Sequence, residues 1–164
     1  MSIKVETSEA TKLQTSGLTT LGNKVTSEDT QGKLEVFPLD PKKSSRLTTV
    51  TLVTDEIFAN CPLTSQPDFY SLELMYSPYD CCVESKAFKL YIHTLKDSGI
   101  FGEELARKIA DDLMDATNAY WVNAKLTQRP RGGISIVSVA ELQNPVHYGV
   151  GSDTSPVDDG DSND

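Results

Sequence analysis

The order of apolar patterns along the 164 residues predicts an α+β domain: two strands, two helices, two strands, with both helices on one face of an antiparallel sheet. Two observations carry this. Tyr70, Leu72, Leu74 and Tyr76 alternate with Ser71, Glu73 and Ser77, the period of a half-buried strand. Phe88, Tyr91, Ile92 and Leu95, then Leu105, Ile109 and Leu113, recur at the spacing of two amphipathic helices.

Met1 to about Ser16 is rich in Ser, Thr, Glu and Lys and has little to bury, so residues 1–17 are expected to be a flexible segment. Leu18 to Asn23 and Leu34 to Leu39 are short apolar islands, and Asp40 to Ser45 reads as a loop. Leu47 to Phe58, with β-branched residues throughout, predicts the first strand. The second is the Tyr70 to Tyr76 alternation, closed by a turn at Ser77 to Asp80. Val83 to Lys96 lacks Gly and Pro and predicts the first helix, ended by Ser98-Gly99 as a glycine cap. Glu103 and Glu104 suit the positive end of a second helix, along which Ala106, Ala110 and Met114 flank the stripe. Tyr120, Val122, Ala124 and Leu126 predict a third strand and Ile134 to Val139 a fourth, joined by a turn through Gly132-Gly133. Little regular structure is expected from Glu141 onward. The domain is thus placed at 18–140, followed by an acidic, disordered tail at 141–164. Four strands leave two sheet edges that need covering, and pairing with copies of the chain would close the sheet into a ring.

The formal net charge is −9, which argues against a phosphate-backbone binder, so no direct nucleic-acid binding is expected. No apolar run reaches the roughly 18 residues of a membrane span. No signal pattern opens the chain. Three cysteines, two of them adjacent (Cys81, Cys82), do not make a disulfide framework. The expectation is a soluble cytoplasmic protein.

The chemistry gathers around Asn60 to Phe69. Cys61 stands between Pro62 and Pro67 in a loop joining two strands, with Asp68 seven residues on. A rigid loop can hold a reactive thiol, and a nearby acid can protonate what a thiolate adds to. Spacing alone also allows Cys61 to be a small buried hydrophobe and Asp68 a turn residue. On the first helix Lys86 and Lys89 are three apart and share a face, with His93 near the same stripe. Two ammoniums could hold phosphate, or simply form a solvated face. Arg129 and Arg131 beside Gly132-Gly133 pose the same choice.

Together these pieces resemble a family: the NADPH-dependent nitrile reductases that convert 7-cyano-7-deazaguanine (preQ0) to 7-aminomethyl-7-deazaguanine (preQ1) in queuosine biosynthesis, QueF of the short single-domain type. The resemblance runs from about Leu18 to Val139. It rests on Leu21-Gly22-Asn23, the Cys61-Pro62 to Gln66-Pro67-Asp68-Phe69 loop, Glu84-Ser85-Lys86-Ala87-Phe88-Lys89-Leu90-Tyr91, and Pro130-Arg131-Gly132-Gly133-Ile134-Ser135. It implies the tunnelling fold, in which subunits join sheets into a barrel ring and two rings stack.

The resemblance also implies a mechanism and a site. Cys61 would add to the nitrile as a covalent thioimide and Asp68 would protonate the nitrogen. Glu103 would anchor the pyrimidine edge of the base, with Glu84 and Ser85 also on the substrate. Lys86, Lys89 and Arg131 would hold the NADPH cofactor across a subunit boundary, and no metal is expected. The chain departs from the family where Phe-His-Glu is usual: it has Phe101-Gly102-Glu103, and Ser98 replaces a second usual histidine. Only His93 and His147 occur, so His93 becomes a candidate stand-in. A histidine at 102 is accordingly expected to raise turnover. Two other readings stand beside the reductase: an amidino-transfer relative acting on a 7-cyano-7-deazaguanine nucleotide, and a base-binding ring without turnover. A zinc cyclohydrolase of the same fold would need Cys and His ligands that the second helix lacks.

Overall fold

A computed structural model describes residues 15–40 and 49–148. Residues 1–14, 41–48 and 149–164, the last holding most of the acidic tail, lie outside the described residues. In chain order the elements are α1 (Ser27–Thr30), β1 (Val36–Pro38), β2 (Val50–Asn60), β3 (Pro67–Ser77), β4 (Cys81–Val83), α2 (Ser85–Thr94) with a 3₁₀ turn at Leu95–Asp97, α3 (Gly102–Thr117), β5 (Trp121–Gln128), β6 (Val137–Gln143) and α4 (Pro145–Tyr148). The main sheet has the order β2-β3-β5-β6, antiparallel throughout. The expected ββααββ architecture is therefore the observed one, and a small β1-β4 pair is added beside it.

The alternation read in β3 is the burial pattern of the strand. Tyr70, Leu72, Leu74 and Tyr76 are all buried, against Ile57 and Ala59 of β2 and Val122, Ala124 and Leu126 of β5. The stripe of α3 (Leu105, Ile109, Leu113) and that of α2 (Phe88, Tyr91, Ile92) cover this face. Each fully buried large aliphatic side chain contributes roughly 1.5–3 kcal/mol relative to exposure, so the two stripes hold the helices on the sheet. The opposite sheet face is open and carries exposed Val53, Phe69, Val137 and Val139.

Along β2 the partners run Thr54 with Leu72 but Ile57 with Tyr70, so one extra residue bulges from β2 at Asp55-Glu56. Burial along β2 shifts with it: Val50, Leu52 and Thr54 are the inner residues before the bulge, Ile57 and Ala59 after it.

Three expectations need correction. Gly99 does not cap α2 in the left-handed region. The helix tightens into the 3₁₀ turn, and 98–100 runs extended, with Asn60 N–H donating to Ser98 O and Ile100 N–H to Asn60 O. The last strand starts at Val137 rather than Ile134. Arg131 and Ile134 pair across a two-residue turn whose glycines have φ of +59° and +83°, which draws Ile134 into the turn. Order also continues past Glu141. β6 pairs with β5 to Gln143, and α4 is tied back by Asn144 to Asn118 and by His147 lying against Tyr79 and Tyr120 at 4.2 and 4.8 Å. Polar spacing hid this helix because its anchors are ring contacts, not an apolar stripe.

Candidate active site

The loop after β2 is built around Cys61. Its N–H donates to Gln66 O at 2.8 Å and its carbonyl accepts from Ser65 N–H at 2.9 Å, with Ser65 in the left-handed region at φ +56°. This turn aims the Thr64 hydroxyl and the N–H groups of Thr64 and Leu63 at the sulfur. Those bonds, the hydroxyl first, hold the thiol below its ordinary pKa, against opposing contributions from desolvation and from the Asp68 charge. The thiolate is the nucleophilic form. Thr64→Val is therefore expected to move the rising limb of any Cys61 reaction, read as alkylation rate against pH, to higher pH. An unmoved limb would mean that Thr64 does not stabilise the thiolate.

Asp68 follows at the start of β3. It sits opposite Ala59 in the β2 ladder, and its side chain shares the buried face with Tyr70. Asp68 is only 7% exposed and is ion-paired with Arg131, whose second nitrogen reaches Gln66 Oε1 at 3.5 Å. Glu103 enters from the first turn of α3, where the helix dipole favours a carboxylate. Cys61, Asp68, Tyr70, Gly102, Glu103 and Arg131 line one cleft of about 360 Å³, which Gln128, Ile134 and Ile136 close on the far side.

The residues expected on α2 lie elsewhere in the subunit. Glu84 caps α2, accepting from Lys86 N–H at 3.0 Å and Ala87 N–H at 2.8 Å; the Ser85 and Thr20 hydroxyls also donate to it. The Lys86 ammonium is spent on the carbonyls of Thr20 and Asn23. Exposed Lys89 lines a second groove of about 270 Å³ between β2 and α2, with Ser85, Glu56 and His93. The groove and the Cys61 cleft share no residue. His93 faces this groove and meets the Ser27 hydroxyl at 3.2 Å, so within one chain it lies apart from the Cys61 cleft.

Tyr70 is the cleft residue that the sequence reading leaves as an ordinary strand position. A signal was available: on a period-two strand, residue 70 shares its face with residue 68. Its ring occupies the space beside Gly102. A Cβ built on Gly102 would stand 3.0 Å from Tyr70 Cε1, closer than side chains normally approach. A histidine at 102 therefore requires the Tyr70 ring to give way by a few tenths of an ångström.

A cysteine with a stabilised thiolate, a paired acid and a carboxylate at a helix start form a cleft with the groups that covalent capture of a small electrophile calls for, on an antiparallel sheet with its helices on one face. A family model described as QueF-like protein matches residues 67–147. A protein of Syntrophus aciditrophicus named NADPH-dependent 7-cyano-7-deazaguanine reductase is 38% identical over 113 residues, covering 69% of this chain and 79% of the relative. One of Parasynechococcus marenigrum with the same name is 36% identical over 103 residues, covering 63% and 77%. The chain belongs to this QueF-like reductase family. The crystal structure of an archaeosine synthase QueF-Like in the apo form shares the fold, with a TM-score of 0.54 and 23% identity over 57% of this chain and 92% of that one.

Proposed function

We propose that the chain reduces the nitrile of 7-cyano-7-deazaguanine to the aminomethyl group with NADPH, as its relatives are named for doing. The observation that supports this most is the convergence of Cys61, Asp68, Glu103 and Arg131, distant in sequence, on one cleft. Cys61 thiolate attacks the nitrile carbon, a sulfur–carbon bond forms, and the nitrogen takes a proton from Asp68, giving the thioimide. Asp68 first has to leave its ion pair and pick up that proton. Glu103, an exposed carboxylate at the cleft wall, accepts the N–H donors of the pyrimidine edge.

NADPH supplies two hydrides in succession when bound. The residues present suit it: Lys89 has no carboxylate partner among the described residues, and it flanks a groove that Leu52, Val53, Phe88 and Ile92 line with apolar side chains. Lys86 and Arg131 would join it on exchanging their present partners, as would Ser85 on the substrate side. Since groove and cleft are separate within one chain, a neighbour's groove would complete the site. The two edge strands, β2 up to Asn60 and β6, which pair with no further strand among the described residues, and the open apolar sheet face support such a ring of subunits. Light scattering at micromolar concentration is expected to give a mass several times 17.9 kDa, and a monomer would rule the ring out.

The function is tested by mixing the protein with the nitrile base with and without NADPH. Adduct formation alone and NADPH oxidation when both are present are expected. Adduct without oxidation would point instead to a base-binding ring, and oxidation-free turnover with an ammonia source to an amidino transfer.

A further inference from the structure

The cleft contains one polar group that the reaction above has not used. Tyr70 is 1% exposed, and its hydroxyl has no hydrogen bond among the described residues. No fully buried side-chain polar atom among them lacks a partner, so this hydroxyl is reached from the cleft that Tyr70 lines. It lies 3.4 Å from where a Cβ on Gly102 would stand, and the glycine leaves the ring its present place without displacement. A hydroxyl that opens only into the cleft takes its hydrogen bond from what the cleft holds, water when it is empty and a ligand atom when it is filled.

The other acids of the cleft are already committed. Asp68 is spent on the first protonation, and Glu103, exposed at the cleft wall, is assigned to the pyrimidine edge. Burial first, then the charges of Asp68, Glu103 and Cys61, push the Tyr70 phenol up to about 12, so it keeps its proton while Cys61 is a thiolate.

Building on the reductase reading, we propose that Tyr70 is a second proton-donating residue of this cleft, its hydroxyl hydrogen-bonded to the nitrogen of the Cys61-bound nitrile and seated by the absence of a side chain at Gly102. After the first protonation the thioimide nitrogen, C=N–H, still has a lone pair, and the Tyr70 O–H donates to it. When hydride reaches the carbon, the C=N π pair moves onto nitrogen and takes the phenol proton. The phenolate is then reprotonated by solvent. Residue 70 thereby supplies the second proton from within the cleft.

The test uses Tyr70→Phe, which keeps the ring and removes one oxygen, and 2,3-difluorotyrosine at the same position, which keeps the hydroxyl but makes it more acidic. Without NADPH, the apparent affinity for the nitrile base, read from the adduct absorbance band, is expected to fall about five- to tenfold in Tyr70→Phe, the size of one lost hydrogen bond. Single-turnover reduction with NADPH is expected to fall about a hundredfold, with the melting temperature unchanged. With difluorotyrosine, the alkaline limb of the adduct's pH profile is expected to move to lower pH. A purely structural role would not move that limb. Wild-type affinity and rate in Tyr70→Phe, or an unmoved limb with difluorotyrosine, overturns the inference while the reductase reading stands. If wild type itself forms no adduct, the reading falls and the inference with it.

Discussion

Cys61→Ala is expected to form no adduct with 7-cyano-7-deazaguanine, neither the absorbance band nor the mass increase, and to lose NADPH oxidation by about a thousandfold or more. The size follows from what the sulfur does. Capture as a thioimide turns an inert triple bond into a carbon that accepts hydride, and an alanine offers no other route. The fold should be untouched, because Cys61 is only partly buried and its loop is held by backbone bonds to Gln66 and Ser65. A Cys61→Ala protein that still shows the band would place the nucleophile elsewhere. Cys81 and Cys82 are poor alternatives: burial pushes both thiols above their ordinary value, Cys81 to about 12.

Asp68→Asn is expected to slow turnover by roughly a hundred- to ten-thousandfold, the range for a positioned proton donor. Stability should change little. The amide fills the same space and still offers an oxygen, and the Arg131 side chain it leaves behind is 48% exposed and stays solvated. An ion pair with one exposed member contributes at most about 1 kcal/mol. Activity loss without a matching fall in melting temperature is the signature to look for. A rate within threefold of wild type would remove Asp68 from the chemistry.

Much of this molecule was legible before its coordinates. The β3 alternation and the helix stripes at Phe88 to Ile92 and Leu105 to Leu113 have strong periods, and burial follows them residue by residue. The grouping of Cys61, Asp68 and Glu103 was legible through motif resemblance, because those residues sit in short, distinctive runs; Arg131, read with Lys86 and Lys89 as a cofactor residue, lies instead beside Asp68. What escaped was set by contacts between runs. The capping by Glu84 and the grip of Lys86 on the Thr20 and Asn23 carbonyls depend on where residues 19–23 come to rest. The nearness of Tyr70 to Gly102 joins positions 32 apart in sequence, and no spacing within β3 or α3 announces it.

The single extra residue at Asp55-Glu56 has a consequence for catalysis. In an extended chain, odd and even positions look to opposite sides, and a nucleophile's side is inherited from its distance to the last core residue. Val50 and Leu52 turn their even-numbered side chains inward, and in an unbroken frame Ile57, Ala59 and Cys61 would all look out to the bare side of the sheet. The insertion changes parity once. From there the odd positions face inward, Ala59 comes level with Asp68, and the sulfur two residues later is delivered to the side where Glu103 and Tyr70 wait. The handedness of the reaction centre is thus a reading-frame property of β2, decided five residues upstream of the thiol it orients.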